Sequence, residues 1–182
     1  VLSASGKNAE SEKKIKAFLA KNPEERRGVF LLGVHYLRTK KKELANYFFT
    51  QLENDAKFPW KSLLFNNLGM MALQEKNRRS AMDYFDRATK AEPPIAAPLV
   101  NLGSLYLQSR SYKEAEFLFE RAALIDDQME DAFLGLGASL EGQGKFDEAH
   151  NVYAKSLSKN PNALSVVYND SIILGNRLKR RA

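Results

Sequence analysis

Hydrophobic and small positions along this chain recur at a spacing of 34 residues. Leu68-Gly69, Leu102-Gly103 and Leu136-Gly137 are successive copies of one pair. If Leu102 is position 7 of a repeat, Tyr106 falls at 11, Tyr112 at 17, Ala115 at 20, Phe119 at 24 and Ala122 at 27. The next copy has Leu140, Gly144, Phe146, Ala149, Tyr153, Ser156 and Pro161 in the same register, and the preceding one has Phe65, Ala72, Ala81, Phe85, Ala88 and Pro93. Within each copy the apolar residues follow helical spacing and break once in the middle. Each period therefore predicts two helices joined by a turn, and a fixed period of this length predicts stacked repeats. Small residues at positions 8 and 20 let two antiparallel helices approach closely, while large residues at 4, 7, 11 and 24 fill the space between repeats.

These residues resemble the tetratricopeptide repeat (TPR), a helix-turn-helix unit of the same length. The resemblance implies an all-α, right-handed superhelical solenoid with a C-terminal capping helix. Residues 1–8, rich in Ser, Gly and Ala, read as a flexible tether. Residues 9–25 read as half a repeat, a second-type helix with Ile15, Phe18 and Leu19 on one side, ending at Asn22-Pro23. Four repeats follow at 26–61, 62–95, 96–129 and 130–163, and residues 164–182 form the capping helix and basic tail. A terminal helix of this kind is expected to turn a polar side outward, and the cations Lys179, Arg180 and Arg181 suit the dipole at its C-terminus.

The step from Leu32 to Leu68 is 36 residues, and the two extra residues fall near Phe58 and Trp60. This pair either plugs a widened joint between repeats or offers an exposed aromatic contact. Arg38, Lys40, Lys41 and Lys42 crowd the turn of the first repeat. No aromatic residue interleaves with them as nucleic-acid readers require, so they predict a solvated turn and no nucleic-acid partner.

Composition narrows the class. The chain has 182 residues, 44% of them hydrophobic, and no cysteine. It has enough apolar content for a continuous stack, and it lacks the means for disulfides, thiol nucleophiles or thiolate metal sites. No apolar run reaches membrane-spanning length, so a soluble chain with no direct membrane span is expected. The first residue is Val1, so the chain reads as a fragment or a processed product. Its compartment, cytoplasmic or bacterial periplasmic, stays open. Residues 1–90 carry 18 basic against 10 acidic residues, residues 91–176 carry 6 against 12, and the last six carry 4 against none. Such a distribution can orient a charged partner or promote head-to-tail self-association, or it can be a solvated surface with no such role.

Catalytic signals are weak. His35 and His150 fall in different repeats, with no second imidazole or paired carboxylate at ligand spacing. Gly144-Lys145 is followed by Phe146 where a phosphate loop needs Ser or Thr, and no strand precedes it. The expectation is no catalytic residue, no metal and no cofactor.

In tetratricopeptide arrays the first helix of each repeat lines the concave face, which implies that positions 2, 5, 6, 9, 12 and 13 point into a groove. Position 6 is Asn67, Asn101 and, in the last helix, Asn169. An amide there can offer donor and acceptor to a peptide backbone. The pattern is similar to the asparagine ladder in the superhelical repeats of O-linked N-acetylglucosamine transferases. Leu31 and Gly135 interrupt it in the first and fourth repeats, so only a short grip is expected, and the amides can equally bond within their own helices. The rest of the expected groove is apolar: Phe30, Leu31, Val34 and Leu37, then Leu63, Met70 and Leu73, Val100, Leu107 and Leu134, and finally Tyr168 and Ile172. The carboxylate clamp of co-chaperones wants Lys or Arg at positions 2 and 6, where this chain has Asp131 and Gly135.

The leading expectation is a non-catalytic adaptor that holds a peptide segment of a partner protein. Its expected peptide-binding residues are Asn67, Asn101, Asn169, Leu63, Met70, Leu73, Val100, Leu107 and Tyr168. One alternative is a structural assembly factor acting through its convex face or by self-association, since Phe65 to Gly69 is similar to the pilotin lipoproteins of bacterial type IV pili. Another is a regulatory arm of a larger enzyme.

Overall fold

The computed structural model describes the backbone of residues 4–181 and the side chains of residues 8–175. The described residues form ten helices and no strand: α1 (Ala4–Lys21), α2 (Arg26–Arg38), α3 (Lys42–Glu53), α4 (Lys61–Gln74), α5 (Arg78–Lys90), α6 (Ala96–Gln108), α7 (Tyr112–Ile125), α8 (Glu130–Gly142), α9 (Phe146–Lys159) and α10 (Leu164–Arg181). They fall into two compact units, one ending at Pro93 and the other beginning at Pro94.

In each unit the helices pack pairwise through the same contact. Ala45, Ala81, Ala115 and Ala149 at position 20 are fully buried, as are Phe49, Phe85, Phe119 and Tyr153 at position 24. Each of these rings lies on the glycine at position 8 of the paired helix. A Cβ added at Gly69 would stand 2.5 Å from the Phe85 ring, and one at Gly137 would stand 2.2 Å from that of Tyr153. At Gly33, Gly69 and Gly137 the ring occupies the space a side chain would take, and at Gly103 the fit is looser, 3.1 Å.

The turn inside each pair is also repeated. Lys40, Lys76, Arg110 and Gly144 all have left-handed φ, from 58° to 78°. The residue after each donates its backbone N–H to a carbonyl five residues back: Lys41 to Tyr36, Asn77 to Ala72, Ser111 to Tyr106 and Lys145 to Leu140, at 2.9 to 3.0 Å. This closure satisfies carbonyls that the helix end would leave unpaired. It also lets the second helix begin after only three intervening residues.

In the first unit α1 packs on α2, and helix begins at Ala4, inside the span expected to be a tether. The physical reason is local: Glu10–Lys14 and Glu12–Lys16 ion pairs at helical spacing support the turns on which the tether was expected to end. Residues 1–3 lie outside the described residues. Glu12 also anchors α1 to the stack. Lys16 and Tyr36 both hydrogen-bond to its carboxyl and hold it far below the usual carboxylate range, at about 2. The joint between α3 and α4 is filled by aromatic rings. Phe58 is buried and its ring centroid lies 5.5 Å from that of Phe30, while Trp60 is half-buried, 5.8 Å from Phe30 and beneath the Arg27 guanidinium. Phe30 is therefore a core residue and not a groove residue, because its ring packs against Phe49, Phe58 and Trp60. Across the same joint Arg87 pairs with Glu53 at 2.7 Å and covers the Phe65 ring.

In the second unit Leu99, Leu102, Phe119, Phe133, Tyr153 and Val166 are buried between α6 and α10. Burial works against the ionised form of Glu116, yet hydrogen bonds from Gln143 and Lys145 outweigh it and hold this carboxyl below its ordinary range. The contact ties α7 to the turn before α9. The exposed side of α10 carries Leu164, Val167, Tyr168 and Ile172 in place of the polar surface expected of a cap. The side chains of Lys179, Arg180 and Arg181 lie outside the described residues.

Two substitutions check these contacts by urea denaturation. Gly69→Ala should lower stability by about 1–3 kcal/mol, because the Phe85 ring cannot clear the added methyl without leaving its rotamer. Arg110→Gly should raise stability by about 1 kcal/mol, because it relieves a left-handed residue that carries a Cβ.

Candidate functional site: a pocket on the first-type helices of the second unit

Positions 5, 6, 9 and 12 of α6 present Val100, Asn101, Ser104 and Leu107 toward α8, which answers with Asp131, Leu134, Gly135 and Ala138. Leu164, Ser165, Tyr168 and Asn169 of α10 form the far wall. Together they enclose a pocket of about 820 Å³, a size that accommodates several side chains of a peptide. Beneath it packs the fully buried ring of Phe119 from α7, which the sequence reading did not assign to the groove.

Phe119 packs beneath the pocket because Gly135 leaves room for its ring. A Cβ at Gly135 would meet the Phe119 ring at 2.2 Å. This explains the interruption of the amide series in the fourth repeat. An asparagine at position 135 would have to displace the ring that fills the core between α6, α7 and α8. The Gly135-Leu136-Gly137 run was the available signal, since two glycines one residue apart in a helix imply close approach on two faces.

The structure thus gathers five of the nine expected site residues at one pocket: Val100, Asn101, Leu107, Tyr168 and Asn169. Their exposure differs. Tyr168 is 66% exposed and Val100 only 8%, so Val100 contributes the edge of a core side chain. Asn101 and Asn169 are half-buried.

The other four, Asn67, Leu63, Met70 and Leu73, lie on α4 in the first unit. Met70 is exposed and Leu63 and Leu73 are half-buried. The Asn67 amide nitrogen donates to the Leu63 carbonyl at 2.8 Å, one turn back in its own helix. A separate concavity of about 460 Å³ in the first unit is lined by Ile15, Phe18, Leu31 and Trp60, with Lys14 and Arg27 at its edge.

Behind the pocket of the second unit lies a buried polar layer. The Tyr153 hydroxyl donates to Glu141 Oε1 at 2.7 Å, and burial pushes its pKa well above the usual phenol range. His150 Nδ1 is hydrogen-bonded to Asp170, the residue next to Asn169, so the α10 wall is pinned to α9. Both histidines have carboxylate neighbours that local spacing does not reveal. Besides His150 with Asp170, His35 Nε2 lies 3.6 Å from Glu12. Each carboxylate comes from a different helix, 20 or 23 residues away. Among the described residues no group of three or more His, Cys, Asp or Glu is placed to hold a metal ion, and no helix is long and apolar enough to cross a membrane.

A search of curated proteins finds no match. Among solved structures, the chain is similar to YrrB, described as a TPR protein with an unusual peptide-binding site, with a TM-score of 0.73 and 19% identity over 91% of this chain and 84% of that one. It is similar to yeast Tom70 with a TM-score of 0.76 and 20% identity, over 96% of this chain but 37% of Tom70. The second TPR domain of human RPAP3, solved in complex with an HSP70 peptide, aligns with a TM-score of 0.58 and 25% identity, over 62% of this chain and 94% of that domain. These likenesses identify the fold as a helical-repeat solenoid. A family model described as the tetratricopeptide repeat matches residues 1–57 and 66–132, more than half of the sequence. This chain belongs to the tetratricopeptide repeat family.

Proposed function

We propose that this protein is a non-catalytic adaptor that holds an extended segment of a partner protein on its first-type helices, chiefly in the pocket between α6, α8 and α10. The observation that carries this reading is the pocket itself. Amides on two walls, Asn101 and Asn169, stand beside apolar surfaces from Leu107, Leu134 and Tyr168. Amides supply donors and acceptors for a peptide backbone, and the apolar walls receive alternate side chains. The likeness to the RPAP3 domain, which was solved with a bound peptide, supports the same reading.

On the first unit, taken by itself, Asn67, Leu63, Met70 and Leu73 of α4 are the residues proposed to contact a peptide. The Asn67 amide nitrogen is engaged by the Leu63 carbonyl one turn back in its own helix. A grip of side-chain amides on the peptide backbone does not depend on the partner's exact side chains, which suits an adaptor that takes related segments from several proteins.

Affinity capture with wild type beside Asn101→Ala and Asn67→Ala/Asn101→Ala tests the reading. Partner retention should fall by about ten-fold for the double variant, about 1.4 kcal/mol, with a smaller loss in Asn101→Ala alone. The helical melt should stay within a few degrees of wild type. Retention at wild-type strength would remove the pocket as the binding site.

A further inference from the structure

Thirteen residues line the pocket of the second unit, and Asp131 is the single charged residue among them. Asp131 is exposed and takes part in none of the ion pairs among the described residues. The pocket lies in an acidic region, since residues 94–175 carry eleven acidic and six basic residues. Two of those six are already paired, Lys145 with Glu116 and Lys159 with Asp127. On the opposite wall the Tyr168 ring is 66% exposed. An exposed aromatic face attracts a cation, as does a carboxylate without a partner.

We infer that the pocket selects peptide segments in which a Lys or Arg lies among apolar residues, and that it discriminates against acidic segments. This inference rests on the peptide-holding function proposed above and names the class of segment held. Apolar side chains enter between Leu107, Leu134 and Tyr168, while the cationic head group remains at the solvent edge beside Asp131. Discrimination comes from the sign of the field as well as from attraction. A Glu brought beside Asp131 meets a like charge, and the lining offers it no cation. Asp131 also lies in the first turn of α8, where a carboxylate stabilises the helix dipole, but Glu130 occupies that turn too. A purely structural role for Asp131 would leave the charge preference of the ligand unchanged.

The test uses two bead-bound nonapeptide libraries with the same alternating Leu, Ile, Val and Phe positions, one with Lys or Arg at the centre and the other with Asp or Glu. Wild-type protein should be retained by the cationic library about three- to five-fold better than by the acidic one, the range expected for one exposed charge pair. The preference should shrink as salt is raised from 50 to 500 mM. Asp131→Asn should abolish it and Asp131→Lys should reverse it. Equal retention, an acidic preference or a preference insensitive to both variants overturns the inference. If such retention still falls in Asn101→Ala, the peptide-holding function stands without the charge selection. Failure of both libraries to retain the protein overturns the two together.

Discussion

The contact between a glycine on one helix and an aromatic ring on its partner sets the geometry of both units. At Gly33, Gly69, Gly103 and Gly137 the missing side chain lets the ring of Phe49, Phe85, Phe119 or Tyr153 lie against backbone. Fully buried alanines at position 20 hold the same pair of helices close on the other side of the ring. A larger residue at either place would push the helices apart and change the angle at which the next pair begins. The packing density of a repeat stack therefore depends on a few positions with no side chain to spare.

This dependence explains why the fold could be read in the sequence. Leu-Gly pairs, the alanine at position 20 and the aromatic at position 24 recur in register because each copy solves the same packing problem. Less regular features were harder to read. Phe30 occupies a position expected to face the groove, yet its ring packs into the cluster with Phe58 and Trp60 from the irregular joint that follows. The helical start of α1 was hidden by Ser, Gly and Ala residues that suggest a tether by composition, although the Glu–Lys pairs just after them favour helix.

The candidate site was legible in part. Asn101, Leu107, Tyr168 and Asn169 meet at one pocket because they share a phase on successive first-type helices. Phe119 could not be assigned there from phase alone. It belongs to a second-type helix and packs beneath the pocket in the space that Gly135 leaves. The pairing of His150 with Asp170 was equally hidden, since no spacing within one helix brings the two together. Features set by a single helix's periodicity were accessible, whereas those set by one helix seen past another required coordinates.

The ring of Phe119 serves two neighbours at once: it lies against Gly103 and it fills the space over Gly135. Recognition and rigidity are therefore coupled at this point. A lineage that sought a third amide on α8 would first have to shrink the ring, loosening the core before any new grip was gained, so the chemistry of this trough should evolve along its outer walls while its base stays fixed.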